Sequence, residues 1–263
     1  LDSCKLLKII GSKFNSFGVS HWNSKIKIYD SIFNDDVYFG GIHRIKVSTK
    51  FILKNTVFNG RVNLWDYQIV KKFLITSCSF NKYPATFSNV EFAEGCKTDF
   101  SLSNFTNCIF EKIDFSGVHL RTINIENAEF KDCIWGLANE GKYSERYLIG
   151  DEKTETRLTE LERIKLLYSQ LKKYFYEREN YIDGGKFYIS QQEINRKILS
   201  LKKEQFKSLI LYVHRKLSFY GESVSVPFGW MIIVTLFFSL VYPFTGFENK
   251  QISVTYELSL DLA

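Results

Sequence analysis

Four histidines, five cysteines and the adjacent aspartates Asp35-Asp36 are residues of this chain that could serve as metal ligands, nucleophiles or proton carriers. His21, His43, His119 and His214 are scattered, and no H-E-x-x-H sets two of them on one helix face as a zinc site requires. Cys4, Cys78, Cys96, Cys108 and Cys133 are odd in number and hold no C-x-x-C pair, which argues against a disulfide framework and against a zinc knuckle. Cys78, Cys108 and Cys133 each stand two residues before a large aromatic, a place for a small buried hydrophobe, and reduced thiols fit a cytosolic domain. Asp35-Asp36 lacks the spaced oxygens of a calcium loop. There is no G-x-x-x-x-G-K-[ST], G-x-G-x-x-G or G-x-S-x-G. Asn104-Phe105-Thr106 matches a glycosylation acceptor, but its central Phe belongs to an apolar repeat. The sequence gives no grounds for an enzyme, and neither cofactor nor metal is expected.

Charge is the other chemistry on offer. Between Arg196 and Lys216 lie seven bases (Arg196, Lys197, Lys202, Lys203, Lys207, Arg215, Lys216) against Glu204 alone, and this stretch accounts for the whole net charge of +6. Such a run can meet an anionic bilayer or a nucleic acid. No nucleic-acid-binding motif accompanies it, which weighs against the second.

What would position these residues is a period of five. Phe100, Phe105, Phe110, Phe115, Leu120, Ile125, Phe130 and Trp135 follow one another at that spacing, which is neither the period of a helix nor that of a strand. Two residues before each stand Thr98, Ser103, Cys108, Ile113, Val118, Ile123, Ala128 and Cys133. Two inward residues in five suit a coil that turns a corner every five residues, so about twenty residues close a four-sided turn. Stacked turns then pair their backbones at ~4.8 Å. Upstream the register loosens: two extra residues surround Pro84 and three surround Gly95-Cys96, while Leu64 and Ile69 keep step. An ordinary β-sandwich is the alternative.

The pattern resembles the pentapeptide-repeat family, whose consensus is a small residue, Asp or Asn, then Leu or Phe, then two variable positions. The resemblance implies a mainly β fold, a right-handed quadrilateral β-helix, over 1–135, irregular before about residue 85. Residues 136–154 have linker composition, and 155–225 read as an amphipathic helical region. Within it Leu158, Leu161, Ile164, Tyr168, Leu171 and Phe175 recur three or four apart. Asp183-Gly184-Gly185 is expected to break the first helix. A second helix passes through Phe187, Ile194, Ile198 and Leu201. A third, over 205–219, would lie along an anionic bilayer or cap a helical hairpin.

Residues 226–247 carry no charge and, as a helix, would span ~33 Å, close to the ~30 Å hydrocarbon layer. The expectation is a transmembrane helix, with Pro243 as a point where it could stop short and a buried core helix as the alternative. Bases gather on the cytoplasmic side of a span, so Lys202, Lys203, Lys207, Arg215 and Lys216 are the candidate membrane-surface residues. The solenoid is then expected on the cytoplasmic side. The opening, LDSCKLLKIIGSKF, is not read as a secretory signal. Residues 248–263 alternate like a strand and read as an extracytoplasmic tail, incomplete as it stands.

The stretch YSQLKKYFYERENYIDGGKFYISQQEINRK, with LSFYGE after it, is similar to the segment that joins pentapeptide repeats to transmembrane helices in a group of bacterial membrane proteins. That similarity implies the bacterial inner membrane, a homo-oligomer and a pore or ion-channel-like element, although no filter-like T-x-G-Y-G-D occurs. The expected function is a membrane-anchored repeat protein whose solenoid binds a protein partner or senses a signal. A non-conducting, membrane-tethered scaffold is the rival. A DNA-mimicking gyrase binder is weaker, because residues 98–135 hold six acids against three bases.

Overall fold

The computed structural model describes residues 6–15, 17–19, 25–40, 46–120, 122–139, 145–153 and 155–242. Two compact units divide at Val213 and His214. The first contains a β-solenoid of about five turns followed by helices.

Every coil-to-coil pairing in the solenoid is parallel. In the regular part the repeat distance is legible in four bridges, Asp99 to His119, Asn104 to Asn124, Ile109 to Glu129 and Asp114 to Ile134. Each joins residues twenty apart, so four ladders run along the solenoid and a coil contributes five residues to each. Further up, Lys25, Lys50, Lys72 and Lys97 pair in sequence. The last step is five residues longer than a regular coil. The surplus is the pair at Pro84 and the three at Gly95, both in turns between strands, where Gly95 adopts φ +73°. Insertions at corners leave the ladders in register.

Corners demand a backbone that most side chains resist. Asp30, Asn55, Ser77, Leu102 and Thr122 occupy equivalent corners and all have φ between 49° and 59°. Asp and Asn tolerate this left-handed region best because their short polar side chains bond locally. They also stack: Asn55 Nδ2 donates to Asp30 Oδ1 at 2.9 Å, and Asn89 Nδ2 to Asp66 Oδ1 at 2.8 Å.

The interior is filled by columns of like residues. Phe14, Phe33, Phe58, Phe80 and Phe105 form one file with ring centroids 5.1 to 5.4 Å apart. Phe87, Phe110 and Phe130 form another. The separation slightly exceeds the strand spacing, so identical rings in successive coils meet as tilted or offset stacks, each adding to the value of burial alone.

Helix α1 (Leu158–Glu177) and helix α2 (Tyr181–Leu201) close the far end of this interior. Leu161, Ile164, Leu167, Tyr168, Leu171 and Phe175 of α1 are buried on one side. Phe187 of α2 lies against Trp135 edge-on at 5.1 Å. Tyr174 accepts a hydrogen bond from the Phe130 backbone N–H at 2.7 Å, satisfying a donor that has no further coil to pair with.

Two expectations change here. The stretch expected as a linker holds an antiparallel pair, Leu137–Asn139 with Glu145–Tyr147, and a 3-10 turn, Gly150–Lys153. Arg146, Asp151 and Glu152 in it are buried. Its charge-rich composition reflects an ion network rather than solvation. Arg146 grips Glu152 with two bonds of 2.9 Å, Tyr168 Oη donates to the same carboxylate at 2.7 Å, and Lys197 reaches it at 2.9 Å. Likewise Asp183-Gly184-Gly185 does not break a helix but lies inside α2. The break is at Glu179 (φ 58°), and Asn180 caps α2 by accepting from the Asp183 N–H. Gly184 is there for proximity, since a Cβ on it would sit 3.0 Å from the Tyr176 ring.

Two outcomes test this account. Phe105 is 0 % exposed, so Phe105→Ala should cost about 3–5 kcal/mol in chemical denaturation; a loss near zero would mean that the coils do not share a packed core. Burial pushes the Glu152 carboxyl up, but Arg146 and Lys197 outweigh it and hold its pKa below the ordinary value of 4.5. A depressed folded-state pKa contributes stability above the unfolded value that is lost as pH falls through the folded one. Thermal melts should therefore weaken on acidification below about pH 4.5, and Glu152→Gln should remove that part of the slope while lowering stability at neutral pH.

Candidate functional site

Side chains with chemical potential are mostly engaged in the fold. Cys78 and Cys108 are buried between coils, and burial pushes both thiols up to about 12. Cys133 is half-buried and raised to about 11 for the same reason. His119 faces Asp151 at 3.0 Å, and the other Asp151 oxygen accepts from the Leu120 N–H. Asn104 Oδ1 accepts from the N–H and hydroxyl of Thr106, at 3.1 and 2.6 Å, so its side chain closes a turn. Asp36 accepts from the Arg61 N–H and from Tyr38 Oη, and those bonds, the first foremost, hold its carboxyl low. Asp36 lines an open cavity of about 670 Å³ with Asn34, Asp35, Arg61 and Tyr83. Among the described residues no cluster of three or more His, Cys, Asp or Glu is placed to hold a metal. Cys4, His21 and His43 lie outside the described residues.

The repeat centres line the solenoid interior. Phe100, Phe105, Phe110, Phe115, Leu120, Ile125 and Trp135 are buried and Phe130 half-buried, so their role in a site is to set the spacing of what projects outward. The basic stretch is dispersed by contrast. Arg196 pairs with Glu193 and Lys197 with Glu152 at 2.9 Å, Lys202 pairs with Glu162 at 2.7 Å, and Lys207 pairs with Glu204. Lys203 makes no ion pair among the described residues. Arg215 and Lys216 occupy the last turn of helix α3 (Gln205–Ser218), where cations complement the helix dipole.

Apolar surface is what α3 and the following helix α4 (Ser225–Val241) offer. Neither buries a residue. Phe206, Leu209, Ile210, Val213 and Leu217 are exposed on α3, and exposure on α4 reaches 70 % at Leu240. Helix α4 holds no charged residue, and among its polar side chains Thr235 bonds back to the Met231 carbonyl at 2.8 Å. Pro227 falls in its first turn, where a missing N–H costs nothing. At seventeen residues α4 is ~26 Å long. No single described helix is long and apolar enough to cross a membrane; Gln205–Gly221 and Ser225–Val241 pass that test only together, as a pair bent by 116°. The expected span's last residues and the alternating tail, 243–263, lie outside the described residues.

A second basic surface escaped the sequence reading. Lys25, Lys50, Lys72 and Lys97 stand in register on one outer face of the solenoid, and Lys8 pairs with Lys27 in a neighbouring row. The signal was present in KIKIY, KFILK and KKFLIT, where lysines flank an apolar alternation. Unequal coil lengths upstream of residue 97 hid that these segments lie side by side.

The fold thus defines a β-solenoid protein with a helical end cap and two uncovered helices. Compared with protein-family models, with curated proteins and with solved structures, the chain finds no match.

Thiol chemistry checks the packed interior. Alkylation of the native protein near pH 8 should leave Cys78 and Cys108 unmodified and label them after unfolding; rapid native labelling of either would place it outside the core.

Proposed function

We propose that the chain is a membrane-anchored solenoid of the pentapeptide-repeat type, coiled as a right-handed quadrilateral β-helix and fastened to a bacterial inner membrane by α4. The observation that carries this reading is α4 itself, apolar on all sides with no side chain buried. Exposed apolar surface costs ~25 cal/mol per Å², and a helix that is hydrophobic all round belongs in a core or in lipid. The charge-free sequence continues from Val241 to Phe247, enough to complete a span of ~30 Å. The surplus of bases on the N-terminal side orients the solenoid toward the cytoplasm.

In this reading the solenoid presents flat, rigid faces for a protein partner, and copies assemble through their spans. A helix without a polar stripe suits a lipid-facing tether better than a pore lining, so the non-conducting scaffold is favoured over the ion-channel-like element. Conductance of the purified assembly in planar bilayers separates the two.

Fractionation tests the anchor. The chain should stay with membranes through a carbonate wash. Ile233→Arg with Leu236→Arg should shift it to the aqueous phase, since each charge costs about 2.5–3.5 kcal/mol at a helix centre. A wild-type chain recovered as an aqueous monomer would overturn the reading.

A further inference from the structure

The outer face that carries the lysine row is a flat, positively charged sheet. Lys25, Lys50, Lys72 and Lys97 stack in successive coils at ~4.8 Å intervals. Lys8 and Lys27 form a second row one alternation further along the strands. None of the six is ion-paired among the described residues. Like charges directly opposite in a sheet are destabilising, so the fold carries a cost at this face. The strain is visible at Lys50, where desolvation and then the neighbouring Lys72, Lys27, Lys25 and Lys71 lower the ammonium's pKa. Asp99, at the end of the second row, is the acid on these rows, and it is turned to the Ser101 N–H at 2.9 Å.

The company these lysines keep identifies the surface they meet. Between and beside them the same face presents Leu6, Ile10, Ile52, Leu74 and Tyr29. Leu6 and Ile10 are well exposed, while Ile52, Leu74 and Tyr29 are half-buried. Reading a duplex takes an element that enters a groove, and a single strand is met by aromatics on which its bases stack. This face is flat, its cations are all lysine, with Lys54 beside Tyr29 a seventh, and it has a single aromatic. Ammonium groups interleaved with aliphatic side chains match the boundary of an anionic bilayer, where phosphates face the charges and the short apolar groups enter the headgroup layer.

We infer that this sheet face docks on anionic phospholipid headgroups, so that the solenoid itself is a peripheral membrane-binding module. The inference rests on the solenoid's own residues and goes beyond the anchor proposed for α4.

The test uses the full chain with two vesicle compositions, phosphatidylcholine alone and phosphatidylcholine with about one-third phosphatidylglycerol, at low and high salt. Anionic lipid should strengthen binding, salt should remove that increment, and Lys25, Lys50, Lys72 and Lys97 should become protected from amine acetylation, read residue by residue. Each lysine near such a surface is worth about a fivefold change in partitioning. K25Q/K50Q/K72Q should therefore weaken the increment about a hundredfold, leave neutral-vesicle binding unchanged and raise the melting temperature of the lipid-free protein. K202Q/K203Q/K207Q should retain the protection of the solenoid lysines. An increment and protection pattern unaffected by K25Q/K50Q/K72Q would overturn the inference. So would tight binding of a DNA duplex that this variant loses while its vesicle binding persists. Loss of neutral-vesicle binding in the wild type would count against the α4 anchor alone.

Discussion

Backbone pairing between successive coils is the constraint from which the remaining features descend. Parallel hydrogen bonding fixes the separation of coils and permits no slip, because a one-residue shift would turn every inward side chain outward. Whatever residue type occupies a position is therefore repeated above itself if the sequence repeats. Phenyl rings become a file of stacked rings, as from Phe14 to Phe105. Asparagine and aspartate at corners become a hydrogen-bonded chain. Lysines become a column of like charge. Favourable and unfavourable interactions are multiplied by the same rule.

A stack of coils must also end. The last coil leaves N–H groups and ring faces that no further coil covers, and here the helical hairpin takes them over. Tyr174 receives the Phe130 N–H, and Phe187 and Phe175 flank Trp135. The buried Glu152 network then ties the returning strand, α1 and α2 together. Buried ion pairs contribute little net stability and are costly to break singly. Their effect at this junction is to fix one arrangement of the cap on the solenoid.

Residues 98–135 announced their fold because two inward positions in five recur without interruption, and the bridges of that region are twenty apart, as the period requires. The insertions at Pro84 and Gly95 were also legible, since both mark turns. What could not be read was anything depending on adjacency between unequal coils, including the lysine row. The cap was obscured for another reason. Arg146 and Glu152 are charged residues in a stretch of polar composition, and only their mutual burial distinguishes them from a linker. Gly184 looked like a helix breaker because composition does not distinguish a glycine chosen for flexibility from one chosen for a close helix crossing. The apolar character of α4 was plain from its residues, although its described helical extent is shorter than the charge-free run.

The placement of surplus residues at corners has a consequence for how such a chain can change. Because added segments leave the ladders untouched, a coil can be lengthened, or a whole coil duplicated, without recutting the interior on either side. Rod length and surface decoration are then free to vary separately, and a family built this way could diversify its outer rows while its spine kept the same few hydrophobic residues.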